Sequence, residues 1–204
     1  MSSSRGAAAS RGLGGPERCP PRRAKIRAVP AISLRFVAPH EAPLVFSFLT
    51  LAARMADSNE PIQQALIDKQ LTKYWQGWGR PGDLGIVASR QLDALPVCCA
   101  WVRQLPPGDD GYLAPGVLEL AFGTVASERG QGIGSATLAR LIEECRRAAA
   151  LGISLSVRAD NPVVRLYLRL GFELVSEIVN RVGTRSLVMK LDLAKGAVAG
   201  QPGS

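Results

Sequence analysis

The stretch ELAFGTVASERGQGIG, residues 119–134, joins an apolar strand-like run to an amphipathic, helix-like segment that starts near Ser135. Three glycines, Gly130, Gly132 and Gly134, alternate with larger residues at the junction. A strand that ends in a glycine loop and opens a helix gathers free backbone N–H groups and the positive end of a helix dipole at one point, where a phosphate or pyrophosphate can be held. Glycine tolerates positive φ there and lets a ligand approach the backbone without a Cβ in the way. A P-loop requires a lysine after the last glycine, and none follows. A dinucleotide fingerprint requires G-x-G-x-x-G, and the third glycine here comes one residue too early. The pattern that remains is Arg-x-x-Gly-x-Gly, carried by Arg129, Gly132 and Gly134; the alternative is a glycine-rich turn opening an ordinary helix.

A second stretch, DNPVVRLYLRLGF at residues 160–172, reads as a short punctuated helix. Asn161 suits an N-cap, Pro162 the first helical position and Gly171 a left-handed C-terminal cap. Taken together and in this order, the two stretches resemble the two signatures of the GNAT superfamily of N-acetyltransferases: Arg-x-x-Gly-x-Gly, then Asn, a helix bearing Leu-Tyr, and Gly-Phe. The resemblance is strongest over 117–172 and extends over 32–193. It implies an α/β class and the GNAT fold, a mixed central sheet flanked by helices.

The 204-residue chain is 47% hydrophobic and has no apolar run approaching the roughly 20 residues a membrane helix needs. Residues 1–30 contain seven basic residues (Arg5, Arg11, Arg18, Arg22, Arg23, Lys25, Arg27) and one acid, Glu17, so they supply +6 of the formal +8. The high isoelectric point is therefore a property of the tail and does not argue for a nucleic-acid-binding domain. With no apolar segment after the charges, 1–30 does not read as a secretory signal; it reads as a disordered basic extension, with an organellar presequence as the alternative. Residues 194–204 read as a flexible tail. The four cysteines suggest neither a disulfide framework nor a metal site: Cys19 lies in the tail, Cys145 on an apolar helix face, and Cys98 and Cys99 on opposite faces of a strand. With His40 as the single histidine, a Cys-His or Ser-His pair is not expected, and no metal is expected.

Strands are expected over 32–37, 84–89, 97–103, 117–125, 153–157, 172–180 and 186–193, and helices over 43–55, 61–74, from Ser135 to Gly152, and 162–170. Ile62, Ala65, Leu66 and Leu71 are expected to face inward from the second helix, after a polar break at 57–60. The segment 75–83, with Trp75 and Trp78, reads either as a wall of an acceptor pocket or as a loop pinned to the core by its aromatics. Asp109 and Asp110, in a Gly/Pro loop, read as solvated, with attraction of a cationic amine beside an acceptor pocket as the alternative. Strands before, between and after the helices give one α/β domain over 31–193.

The resemblance further implies acetyl-CoA as cosubstrate and a primary amine, small or on a peptide or protein, as acceptor. The cofactor would lie along Thr124 and Val125, with its pyrophosphate on Arg129, Gly130, Gln131, Gly132, Ile133, Gly134 and Ser135, and Asn161 in contact. Arg165 and Arg169 would reach the nucleotide phosphates or remain solvated. Transfer would be direct: the amine arrives mainly protonated, loses a proton and attacks. Glu119 occupies the place of a proposed base in some members, and burial in an apolar strand would raise its pKa toward a useful value; the alternative is a structural glutamate. Tyr167 matches the tyrosine placed near the sulfur as general acid, or else fills the core. Ser156 stands where the ribosomal-protein-modifying type carries a glutamate, which weighs against that substrate. A non-catalytic acyl-CoA-binding module is the alternative function. The expected location is cytoplasmic, with no membrane or nucleic-acid partner, and a homodimer stays open.

Overall fold

The computed structural model describes residues 31–55 and 61–194; the basic extension, Cys19, the 57–60 break and the tail from 195 lie outside them. The described chain runs β1 (Ile32–Phe36), α1 (Ala42–Ala52), α2 (Gln64–Ile67), α3 (Lys69–Thr72), β2 (Leu84–Arg90), β3 (Pro96–Arg103), β4 (Val117–Thr124), a 3-10 turn (Ala126–Glu128), α4 (Ile133–Arg147), β5 (Gly152–Arg158), α5 (Val164–Arg169), β6 (Glu173–Val179) and β7 (Arg185–Asp192). The strands form a seven-stranded sheet in the order β1-β2-β3-β4-β5-β7-β6. Every pairing is antiparallel except β4 with β5. The α/β class and mixed sheet are as expected.

Strand periodicity divides the core between the two faces of the sheet. Ala100, Val102, Leu118 and Leu120 face α4 and α5, where they meet Leu138, Leu141, Ile142, Cys145, Tyr167 and Phe172. Cys99, Trp101 and Ala121 face the other way, onto Val45, Phe48, Leu49 and Met55 of α1 and the turn after it. Cys98 and Cys99 thus enter different clusters, as alternation requires. On α4 the apolar residues recur at helical spacing, while Arg147 and Glu143 pair on the outer side (3.2 Å) and Arg140 reaches the buried Glu144 (2.6 Å) at the flank. Helix α1 lies hard against β4: a Cβ on Gly123 would come within 2.7 Å of the Phe48 carbonyl oxygen.

Four element readings require correction. The 61–74 helix is two short helices, because Asp68 adopts an extended conformation (φ −70°, ψ 116°) and its side chain accepts the Gln70 N–H. That break keeps Ala65 and Leu71 buried but turns Ile62 and Leu66 outward. Helix α1 stops at Ala52, before Arg54 at φ 52°. Helix α4 starts at Ile133 and stops at Arg147, with Gly152 already in β5. Helix α5 begins at Val164 after a turn at Pro162 and Val163.

The segment after α3 is pinned to the core, the second of its two sequence readings. Trp78 donates its indole N–H to Ala38 O (3.0 Å), and Trp75 donates to Ala65 O (3.1 Å). Arg103, buried on β3, pairs with both Asp83 oxygens at 3.0 Å and donates to the carbonyls of Lys73, Gln76 and Gly77 at 2.9 Å. A buried guanidinium with every partner supplied knits this segment to the sheet.

Candidate functional site

The parallel ladder between β4 and β5 is short: Val117 pairs with Gly152, Leu118 with Ile153, and Glu119 with Ser154. Beyond that pair the strands part, while β4 continues against β3 as far as Thr124 and β5 continues against β7 as far as Arg158. A V-shaped slot therefore opens in the middle of the sheet, with Glu119 and Ser154 at its apex.

At the open end of β4, the Val125 N–H bonds Val97 O (2.9 Å) and closes the strand. The loop then delivers Gly130 at φ 71° and Gly132 at φ 83°. Gly132 precedes α4 in the left-handed region with no side-chain cap, and the first helical bond runs from Ala136 N–H to Gly132 O (3.0 Å). Among the described residues, nothing accepts the N–H groups of residues 130–135. Six consecutive donors at a helix N-terminus form an anion cradle. A Cβ would meet nothing within 4 Å at Gly130 or Gly132, so φ is what requires glycine there. Gly134 differs: its Cβ would lie 2.7 Å from Phe122 Cζ. Packing of α4 on β4 demands that glycine, while its N–H stays among the six free donors.

The side chains of the loop turn back on the protein. Arg129 Nε donates to Thr124 O (3.2 Å), and Gln131 Nε2 donates to Ser127 O (3.1 Å) and Glu128 Oε2 (3.3 Å). Thr124 donates its hydroxyl to Cys98 Sγ (3.2 Å). Ile133 is buried against Cys98, so its side chain belongs to the core and only its N–H faces the cradle. Ser135 is half-buried. Asn161 accepts the Val163 N–H (3.1 Å) and so caps the turn leading into α5. Arg165 and Arg169 are exposed.

Glu119 is 2% exposed and faces the α1–α3 side of the sheet. Its Oε1 accepts the Tyr74 hydroxyl (3.0 Å), and its Oε2 accepts the Ser154 hydroxyl (2.7 Å). Burial raises its pKa above the usual carboxylate range, opposed by these two hydrogen bonds and by the positive charge of Lys73. Lys73 is itself lowered by burial and donates to Asp110 O, while Asp110 accepts from Gln70 Nε2 (3.1 Å). Asp110 is thus engaged as well as exposed. Tyr167, on α5, is 5% exposed, with its ring between Phe122 (6.5 Å) and Phe172 (5.5 Å). Burial pushes its phenol well up, and among the described residues its hydroxyl has no hydrogen-bond partner.

The structure thus brings Glu119 and the cradle to the two ends of one strand, with Tyr167 beside Phe122 between them. Sequence reasoning missed Tyr74, Lys73 and the contact of Ser154 with Glu119. The signal available was that a carboxylate in an apolar strand needs donors, and Ser154 is a polar residue on its neighbour strand. Among the described residues, no cluster of three or more His, Cys, Asp or Glu could hold a metal ion, and no helix is long and apolar enough to cross a membrane.

Residues 121–193 match the family described as acetyltransferase (GNAT) domain. The fold is shared with a Salmonella typhimurium protein whose structure includes its cofactor acetyl-CoA: 19% identity, 84% of this chain, 99% of that one, TM-score 0.57. It is shared too with a GCN5-related N-acetyltransferase from Kribbella flavida: 20% identity, 79% and 98% coverage, TM-score 0.59. A ribosomal-protein-alanine N-acetyltransferase from Brucella melitensis shows 20% identity, 78% and 99% coverage, and TM-score 0.56. A search of curated sequences gives no significant match. Residues 121–193 thus resemble the acetyltransferase (GNAT) domain, and the fold over the described residues is the one these GNAT structures share.

Proposed function

We propose that this protein is an N-acetyltransferase that moves an acetyl group from acetyl-CoA to a primary amine by direct attack. The observation that carries the reading is the alignment of the β4–β5 slot with the six unpartnered N–H groups of residues 130–135. A slot beside a strand edge suits an extended amide-bearing arm, and the cradle suits a pyrophosphate. The open space over Gly130 and Gly132 supports that fit. Acetyl-CoA supplies an activated acetyl thioester. Residues 120–124 offer the arm a free strand edge, with Thr124 and Val125 at its end; Arg129 adds positive charge at the cradle, and Asn161, in the turn between β5 and α5, would contact the cofactor.

The amine must lose a proton, and Glu119 at the apex accepts it. The carbon–nitrogen bond forms as the carbon–sulfur bond breaks, and Tyr167 donates its hydroxyl proton to the departing sulfur. Burial suits that task, because it keeps the phenol protonated until the thiolate appears. Acetyl-CoA at about 1,000 times its dissociation constant should add about 4 kcal/mol of stability, or roughly 8–16 °C in Tm. Desulfo-CoA should act likewise and NADPH should not. Tyr167→Phe should lower kcat about a hundredfold and Glu119→Gln should lower it too, both with the cofactor shift retained. A full set of shifts with no turnover of any amine would favour a non-catalytic acyl-CoA-binding module.

A further inference from the structure

A carboxylate that is to accept a proton must be available in its charged form, and Glu119 is buried deeply enough to oppose that. What offsets burial is local and specific. Each carboxylate oxygen accepts one hydroxyl, from opposite directions: Tyr74, after α3, reaches Oε1 at 3.0 Å, and Ser154, on β5, reaches Oε2 at 2.7 Å. Neither donor carries a charge of its own, so the pair stabilises the carboxylate without competing for the proton that arrives.

Both donors are themselves held. The Tyr74 carbonyl accepts the Trp101 indole N–H (2.8 Å), and the carbonyl of its neighbour Lys73 accepts from Arg103 (2.9 Å). Ser154 is fully buried in the last β4–β5 pair before the strands part. A Cβ on Gly111 would sit 3.1 Å from Glu119 Cδ, so the loop before β4 closes over the carboxyl from a third side. The remaining charged or titratable neighbours are few. Lys73 faces Glu119 from the α3 side, with Asp68, Asp109 and Asp110 around it. Arg103 on β3 is committed to Asp83, Lys190 pairs with Ser154 through the backbone, and Tyr167 lies across the sheet.

We propose that Tyr74 and Ser154 are positioning residues that clamp the two oxygens of Glu119 at the apex of the slot and hold it in the proton-accepting form. This rests on the reading of Glu119 as the base. The clamp explains how a glutamate can sit in the apolar heart of the sheet and still be charged when an amine arrives. It also ties the base to the slot, because the Ser154 bond stands at the point where the strands begin to diverge.

The test is a titration of Glu119 in the full-length protein. With carbon-13-labelled glutamate, its carboxyl resonance is assigned by its loss in Glu119→Gln and followed against pH. In Tyr74→Phe and in Ser154→Ala the midpoint should move to higher pH, since each removes a donor to the charged form. Ser154→Thr, which keeps the hydroxyl, should restore the wild-type midpoint. For whichever of spermidine, lysine amide and an alanyl peptide is turned over, the acid limb of the kcat profile should move with it. Turnover at neutral pH should fall about tenfold per variant, as expected for one hydrogen bond to a charged group. The acetyl-CoA thermal shift confirms that each variant is folded. Midpoints that stay put or move down in both variants overturn the clamp, even if activity is lost. Full turnover in Glu119→Gln, by contrast, removes the base reading while the titration still decides whether the clamp exists.

Discussion

A methyl group at position 134 would collide with Phe122. The Cβ of Gly134→Ala would stand 2.7 Å from Phe122 Cζ, well inside ordinary contact of about 3.5–4.0 Å between carbon atoms. The ring cannot swing away freely, because its edge packs against Tyr167 with centroids 6.5 Å apart. Overpacking of this kind costs about 1–3 kcal/mol. Alanine in place of glycine inside a helix returns about 0.5–1 kcal/mol. At a contact this short the upper part of that cost, about 2–3 kcal/mol, applies, so the net loss is about 1–2.5 kcal/mol, or a fall in Tm of about 2–10 °C for a chain of this length. Urea unfolding and thermal unfolding would both read it. Phe122→Leu removes the colliding atom, so the double variant should be more stable than the two single losses sum to, with a coupling of about 1 kcal/mol. Gly132→Ala is the control: its φ of 83° costs about 1–2 kcal/mol in backbone strain, with open space around it, so Phe122→Leu should not rescue it. A Gly134→Ala protein as stable as wild type, or strict additivity with Phe122→Leu, would refute the assignment of Gly134 to packing.

Two further predictions concern pH. Glu119 has a folded pKa raised above its unfolded value, so the folded state binds more protons and loses stability as pH rises from the ordinary glutamate value through the folded one. Glu119→Gln should therefore gain stability relative to wild type as pH rises through that window, measured by urea unfolding at successive pH values; a difference that shrinks with rising pH would contradict the sign. Glu41 shows the opposite case: a two-point ion pair with Arg35 (2.7 Å at each oxygen) and the Ala38 N–H (2.7 Å) lower it to about 2. Its contribution is present above the unfolded carboxylate value and is lost as pH falls through about 2. Glu41→Gln should cost about 1 kcal/mol at pH 7, solvent screening of the half-exposed Arg35 included, and progressively less as pH falls toward and through about 2; a loss that does not shrink with falling pH would show that the pair is not the cause.

What could be read from the sequence was whatever acts between near neighbours in the chain. Alternation in PVCCAWVR sends Cys98 and Cys99 to opposite faces, and the 3.6-residue spacing of Leu138, Leu141, Ile142 and Cys145 fixes the buried side of α4. The glycine loop could be placed because a strand, positive φ and a helix start must follow one another within a few residues. The 61–74 segment went wrong for a local reason of its own: Asp68 has a better use for its side chain as a cap on Gln70 than as a member of a continuous helix. The role of Gly134 was hidden because glycine is written identically whether φ or a neighbour's bulk demands it, and only the position of Phe122 on β4 distinguishes the two.

The partners of Glu119 were out of reach for a different reason. Tyr74 is 45 residues away in sequence and Ser154 is 35, and neither distance carries a pattern. Yet the need for such partners follows from chemistry alone. A carboxylate in an apolar strand either finds donors or gives up its charge. The structure meets that need with neutral hydroxyls on both oxygens, and with the fixed cation of Arg103 spent on Asp83. Had Arg103 faced Glu119 instead, a direct ion pair would have held the carboxylate's pKa low and made it a poor acceptor for an amine proton. On the proposed reading of Glu119 as the base, the labour divides: the buried ion pair builds the segment that carries Tyr74, and the uncharged clamp would leave Glu119 free to take up a proton.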